Sequence, residues 1–132
     1  MGVLARRFPA QPDQVRLARR EVVAYAREHG AVDPEAIALA VSEVVTNVVI
    51  HAYIDTAQPG SIEVRAERHA GNGLEILVHD EGRGPLPRDD SPGLGVGLPL
   101  VARLSQRFRV EARPGGGTAV SMVFPVRDAA AA

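Results

Sequence analysis

The chain has 132 residues, 45% hydrophobic and 23% charged, with fifteen basic residues against sixteen acidic ones and a formal net charge of -1. That is enough chain for one domain with its own core, too apolar for disorder and too evenly charged for a protein that works mainly on nucleic-acid phosphates. The absence of Cys excludes disulfides, thiol nucleophiles and Cys-ligated metals; the absence of Lys (every basic residue is Arg) excludes a P-loop and Schiff-base chemistry.

Residues 3–8 read as a short strand, closed by the turn signals of residues 9–12. Residues 13–29 carry helical periodicity, with Val15, Ala18, Val22 and Tyr25 or Ala26 on one side and Arg16, Arg19, Arg20 and Arg27 elsewhere. Those arginines suit an acidic partner or simply a solvated face. Gly30 is a C-terminal stop, and Asp33-Pro34 supplies an N-cap with proline at the first helical position of a second helix running to about Tyr53.

The period then changes. Residues 61–67 alternate as a strand, residues 74–80 form an apolar strand, and Ala70-Gly71-Asn72-Gly73 makes the hairpin turn between them. Residues 80–97 are rich in Gly, Pro and Asp and read as a loop. Residues 98–107 read as a short helix that holds Pro99 in its first turn. Residues 107–113 and 118–124 alternate again around Pro114-Gly115-Gly116-Gly117. The order β-α-α-β-β-α-β-β predicts an α+β two-layer sandwich, a mostly antiparallel sheet with helices on one face. One domain over residues 1–128 is expected, with a frayed tail at 129–132. No apolar run approaches 18 residues and residues 1–12 lack a signal-peptide core, so a cytoplasmic protein without a membrane span is expected.

Four features could carry chemistry. On a wheel at 100° per residue, Glu43 at zero puts Asn47 at roughly 40° and His51 at roughly 80°, on the shoulder of the apolar arc of Ile37, Val41, Val44, Val45, Val48 and Ala52. A carboxylate, an amide and an imidazole thus line the mouth of the core, or form an ordinary polar helix edge. Asp80-Glu81-Gly82-Arg83-Gly84 follows a strand; its carboxylate and glycines suit a flat ligand with an exocyclic amine, or an Asx-type turn. Gly93-Leu94-Gly95-Val96-Gly97 before a helix offers outward N–H groups to anions without any Lys, or is a flexible linker. Gly115-Gly116-Gly117-Thr118 starts the last strand and standing alone is a hairpin turn.

In this order, Glu-x-x-x-Asn-x-x-x-His, Asp-x-Gly-x-Gly, Gly-x-Gly-x-Gly and Gly-x-Gly-Thr resemble the N, G1, G2 and G3 boxes of the GHKL ATPase superfamily, which shares the Bergerat ATP-binding fold. The resemblance runs from about Phe8 to Phe124. The segment from Val41-Ser42-Glu43 through Asn47 to His51-Ala52-Tyr53 is similar to the N box of bacterial anti-sigma factor serine/threonine kinases, and Gly95-Val96-Gly97-Leu98 to their second glycine box.

The resemblance implies ATP and Mg²⁺ as cofactors. It implies that Asn47 binds Mg²⁺, Glu43 is the general base, and Asp80 holds the adenine amine with Gly82 and Gly84 allowing close approach and Thr118 in support. Gly93, Gly95 and Gly97 would wrap the phosphates, with Arg83 as a nearby cation and His51 in a structural role. It further implies a homodimer that sequesters a sigma factor and phosphorylates an anti-anti-sigma (STAS-type) antagonist, with no direct contact to nucleic acid. The segment 85–92 departs from the family: eight residues with three prolines and two aspartates, where many relatives have a longer lid with Lys or Arg. That shortness motivates the alternative of a nucleotide-binding module that controls a protein partner without catalysis.

Overall fold

The computed structural model describes residues 2–54, 56–58, 60–83 and 94–127. The elements are β1 (Leu4–Pro9), α1 (Gln14–Glu28), α2 (Pro34–Asn47) continued by a π-helical turn (Val48–Ala52), β2 (Ser61–His69), β3 (Gly73–Asp80), α3 (Leu94–Leu104), β4 (Arg107–Ala112) and β5 (Thr118–Phe124). The order expected from the sequence holds throughout. The five strands form one sheet in the order β1-β2-β3-β5-β4, and every neighbouring pair is antiparallel.

Alternation decides which face of the sheet is covered. In β3, Leu74, Ile76, Val78 and Asp80 are buried while the residues between them are partly exposed. In register with them stand Ile62, Val64 and Ala66 of β2 and Val120, Met122 and Phe124 of β5. This apolar face meets the helices. Ala18, Val22 and Ala26 come from α1, Ile37, Ala40, Val41, Val44 and Val45 from α2, and Val101 from α3, all within one buried cluster. Burying one such aliphatic side chain contributes about 1.5–3 kcal/mol, so this face holds the layers together.

Local chemistry explains the helix ends. The Asp33 carboxylate accepts the Ala36 N–H at 3.1 Å with Pro34 at the first helical position, and Gly30 takes φ +84° where α1 stops. Pro34–Ala52 together form a 19-residue helix with a mean hydropathy of 1.4 over its apolar window, long and apolar enough to cross a membrane. The sequence expectation had no such segment. The helix has that length and composition as a core helix does, with its apolar side buried in the cluster that faces the sheet.

Two expectations change. Helix α3 begins at Leu94 and not at residue 98, so Pro99 lies inside it rather than in its first turn. Its missing N–H leaves the Gly95 carbonyl without the usual i→i−4 donor. The strand expected at residues 61–67 runs on to His69, because the turn at Gly71 and Gly73 (φ +78° and +88°) is tight enough to pair His69 with Gly73. The expected tail at 129–132 lies outside the described residues.

Candidate active site at the end of strand β3

Asp80 is the buried charged residue among those described, 4% exposed. It continues the inward row of β3, one step beyond Val78, and pairs with Ile62 on one side and Thr118 on the other. Its Oδ1 accepts the Gly82 N–H at 2.8 Å. Burial pushes the carboxyl above the ordinary carboxylate value, opposed by the backbone N–H groups of Gly82 and Thr118 and by the charges of Arg113 and His79. Thr118, paired with Asp80 across the sheet, reaches the carboxylate through its backbone N–H.

Three other parts of the chain close on the segment after Asp80. The end of the long helix is the first: the Arg83 N–H donates to the Ala52 carbonyl at 2.9 Å. A Cβ on Gly82 would fall 2.6 Å from the Ala52 carbonyl carbon and 2.7 Å from its Cβ. The sequence assigned Gly82 to close approach of a ligand; in the structure the backbone it admits is that of Ala52.

The β4–β5 turn is the second. Gly117, at φ +100°, lies against the Asp80–Glu81 peptide, where a Cβ would sit 2.8 Å from both the Asp80 carbonyl carbon and the Glu81 Cα. Arg113, just before that turn, donates from Nη1 to the Asp80 carbonyl at 2.9 Å. The third is Tyr53, whose hydroxyl accepts the Glu81 N–H at 2.9 Å and donates to the Ser61 carbonyl at 2.7 Å. Burial raises the Tyr53 hydroxyl above its ordinary value, the Glu81 N–H opposes this, and the carboxylates of Asp80 and Glu81 add to it, keeping the phenol a neutral donor. Neither Arg113 nor Tyr53 was assigned a role from sequence. Both are distant from Asp80 in sequence and reach the Asp80–Glu81 peptide only through the folded sheet.

On α2, Glu43 and Asn47 are half-buried and one turn apart, as expected. The Asn47 Nδ2 is withdrawn from solvent and has no hydrogen-bond partner among the described residues. A buried amide in that position calls for a further partner, and a half-turn of the side chain presents its oxygen in the same place. An oxygen donor of this kind fits Mg²⁺, which keeps most of its waters and needs few protein ligands. His51 lies in the π-helical turn that follows, which closes i→i+5 and is not described by the 100° wheel.

Gly95 and Gly97 lie in the first turn of α3 rather than in a loop ahead of it. The N–H groups of residues 94–96 at that helix start have no acceptor within the helix. Gly84 and Gly93, expected to complete the glycine boxes, and the segment 85–92 lie outside the described residues. Among the described residues no group of His, Asp and Glu is placed to hold a metal ion by itself. Away from the Asp80 end, Arg16, Arg19, Arg20 and Arg27 line a groove of about 690 Å³ between α1 and α2, with Val23, Ala24 and Ala38 as its floor.

A two-layer sandwich with a buried strand-end aspartate, a glycine-clamped loop and an uncompensated helical amide is the architecture of an ATP-binding kinase-like domain. The chain belongs to the histidine kinase-like ATPase domain family, whose model matches residues 8–124. The serine/threonine-protein kinase RsbT of Bacillus subtilis is 37% identical over 102 residues, covering 71% of this chain and 74% of that protein. An anti-sigma F factor of Thermoanaerobacter sp. is 34% identical over 131 residues, covering 87% of each. The Erythrobacter litoralis EL346 blue-light activated histidine kinase matches structurally with a TM-score of 0.57 and 28% identity, over 90% of this chain and 42% of that one. The chain spans 19% of the length of sensor histidine kinase PdtaS of Mycolicibacterium smegmatis and 27% of blue-light-activated histidine kinase 2 of Erythrobacter litoralis, which it also matches at 33% and 39% identity.

Proposed function

We propose that this chain is an ATP-dependent serine/threonine kinase of the anti-sigma type, which sequesters a sigma factor and phosphorylates an anti-anti-sigma antagonist of the STAS class. The observation that carries the reading is Asp80. A carboxylate buried at a strand end, held by two backbone N–H groups and with its peptide clamped from three sides, is preorganised to accept an exocyclic amine. Adenine offers that amine. The 34% identity to an anti-sigma F factor and the 37% identity to the kinase RsbT support the anti-sigma assignment.

In this reading Asp80 orients the base while Thr118 holds the carboxylate. The N–H groups at the start of α3, with Gly95 and Gly97 leaving the backbone bare, would face the phosphates, with Arg83 as a nearby cation; the resemblance assigns Gly93 to the phosphates and Gly84 to the adenine side. The Asn47 oxygen would hold Mg²⁺, which supplies charge neutralisation on the phosphates when bound. Glu43, one turn earlier on the same side of α2, accepts the proton of the attacking serine or threonine hydroxyl. Phosphoryl transfer asks the protein for little beyond this positioning and electrostatics. His51 serves the structure of the π turn. The protein acts in the cytoplasm as a homodimer, and the arginine groove on α1 meets an acidic face of a protein partner.

The test is calorimetric titration of Mg-ATP and Mg-ADP into the wild type, Asp80→Asn and Asn47→Ala, followed by phosphate transfer to the cognate antagonist. Micromolar binding that weakens in Asp80→Asn and loses its Mg²⁺ dependence in Asn47→Ala is expected. Wild-type protein that binds neither nucleotide overturns the reading. Binding without transfer to any antagonist leaves a regulatory module without catalysis.

A further inference from the structure

Strands β2 and β3 pair from His69↔Gly73 to Ile62↔Asp80. The next rung would join Ser61 to Glu81. It does not form directly, because the Tyr53 hydroxyl stands in it, accepting the Glu81 N–H at 2.9 Å and donating to the Ser61 carbonyl at 2.7 Å. The Glu81 N–H and the Ser61 carbonyl are both satisfied without meeting, and the ladder ends at Asp80.

The ring that delivers this hydroxyl has a prepared place. A Cβ on Gly60 would come within 2.5 Å of the ring at Cε1 and Cζ, so glycine is what lets the phenol lie across the start of β2. Beyond the opened rung the chain leaves the sheet at once. The Gly82 N–H turns back to the Asp80 carboxylate at 2.8 Å, and the Arg83 N–H reaches the Ala52 carbonyl at 2.9 Å, one residue before Tyr53 itself.

We propose that Tyr53 is a positioning residue for the nucleotide site: a phenol wedge that opens the β2–β3 ladder one rung past Asp80 and so sets the carboxylate and the Glu81–Arg83 backbone for adenine. The proposal rests on the reading of Asp80 as the base-binding residue. Tyr53 itself need touch no ligand. It ties the end of the helix that carries Glu43 and Asn47 to the loop that carries Asp80, so the metal side and the base side of the site keep a fixed spacing.

The experiment is Tyr53→Phe, which keeps the ring over Gly60 and removes only the hydroxyl. Affinities for Mg-ATP and Mg-ADP are measured beside amide hydrogen exchange of the nucleotide-free protein, well below the melting temperature. Losing one such pair of hydrogen bonds at the base side weakens both nucleotides by about tenfold and by the same factor, with the Mg²⁺ dependence retained. The Glu81 amide changes its exchange rate by about tenfold while those of Ile76 and Val78 do not. Gly60→Ala, which displaces the ring and lies outside the nucleotide site, reproduces the loss and keeps the test open should Tyr53→Phe fold poorly. Affinities within about twofold of wild type in both variants overturn the proposal, as a merely structural tyrosine would lower the melting temperature alone. If the wild type binds no nucleotide, the assignment of Asp80 falls and with it the positioning role; an unchanged Glu81 exchange rate in that case overturns the wedge as well.

Discussion

Replacing Gly82 with alanine separates two reasons for a glycine at that position. If its bare backbone serves only a ligand, the nucleotide-free protein should tolerate a methyl group there. The structure gives a different expectation. The added Cβ would stand 2.6 Å from the Ala52 carbonyl carbon and 2.7 Å from the Ala52 Cβ, both attached to the helix backbone and unable to swing aside. Gly82 does not lie at positive φ, so the cost is contact and not backbone conformation. Forcing one methyl into a closed contact costs about 1–3 kcal/mol. Moving the loop off the helix end also gives up the Arg83 N–H to Ala52 carbonyl bond at 2.9 Å, about 1 kcal/mol more. A loss of about 2–4 kcal/mol is a large part of the 5–15 kcal/mol typical of a domain, and lowers the melting temperature by roughly 6–16 °C at this chain length. Urea denaturation of the nucleotide-free protein, with the same m-value expected for both forms, measures it. A Gly82→Ala protein within about 0.5 kcal/mol of wild type refutes the helix contact as the reason for the glycine.

Asp80→Asn tests the buried carboxylate through pH. Burial raises the folded-state value above the unfolded one, so this carboxyl favours the fold below the unfolded value, and that contribution is lost as pH rises through the folded value. The asparagine variant lacks this loss, so its stability relative to wild type should increase between about pH 3.5 and pH 7, measured by denaturation at each pH; a flat difference contradicts the expectation. Glu43→Gln should leave Mg-ATP affinity near wild type and lower phosphate transfer to the antagonist by about 10²–10⁴-fold in single-turnover assays. Reversing Arg16 and Arg20 to glutamate, both exposed on the groove of α1, should slow association with the partner about tenfold or more at low salt and leave the melting temperature unchanged.

Much of the architecture is local and was therefore legible. The Asp33-Pro34 cap, the Gly71–Gly73 hairpin and the period-2 alternation of Leu74, Ile76 and Val78 each state their structure in a few residues. The start of α3 was not legible. Gly95 and Gly97 each cost a helix about 1 kcal/mol and Pro99 argues for a first turn, so local propensity places the start later. Packing of α3 on α2 through Val101, with Leu98 and Leu104 beside it, accompanies the earlier start at Leu94. The π turn was hidden for a similar reason. Nothing in Val48–Ala52 marks an i→i+5 closure, yet it sets His51 in a turn that a 100° wheel does not describe.

The candidate site shows the same division at finer grain. Asp80 was visible because an aspartate that ends an apolar strand and precedes two glycines is unusual for a strand and ordinary for a site. What fixes it was not visible, since Ala52, Tyr53, Ser61, Arg113 and Gly117 are distant in sequence and meet only when the sheet closes. The glycines of the boxes then acquire a second meaning. Gly82 is where the helix end touches the Asp80 loop, and Gly117 is where the β4–β5 turn touches it from the other side. Their spacing records where three backbones converge on one peptide, a geometry that any occupant of the site must accept. Alanine at Gly117 meets both obstacles at once, a left-handed φ of +100° and the Asp80–Glu81 peptide at 2.8 Å, so it should destabilise the empty fold more than alanine at Gly82.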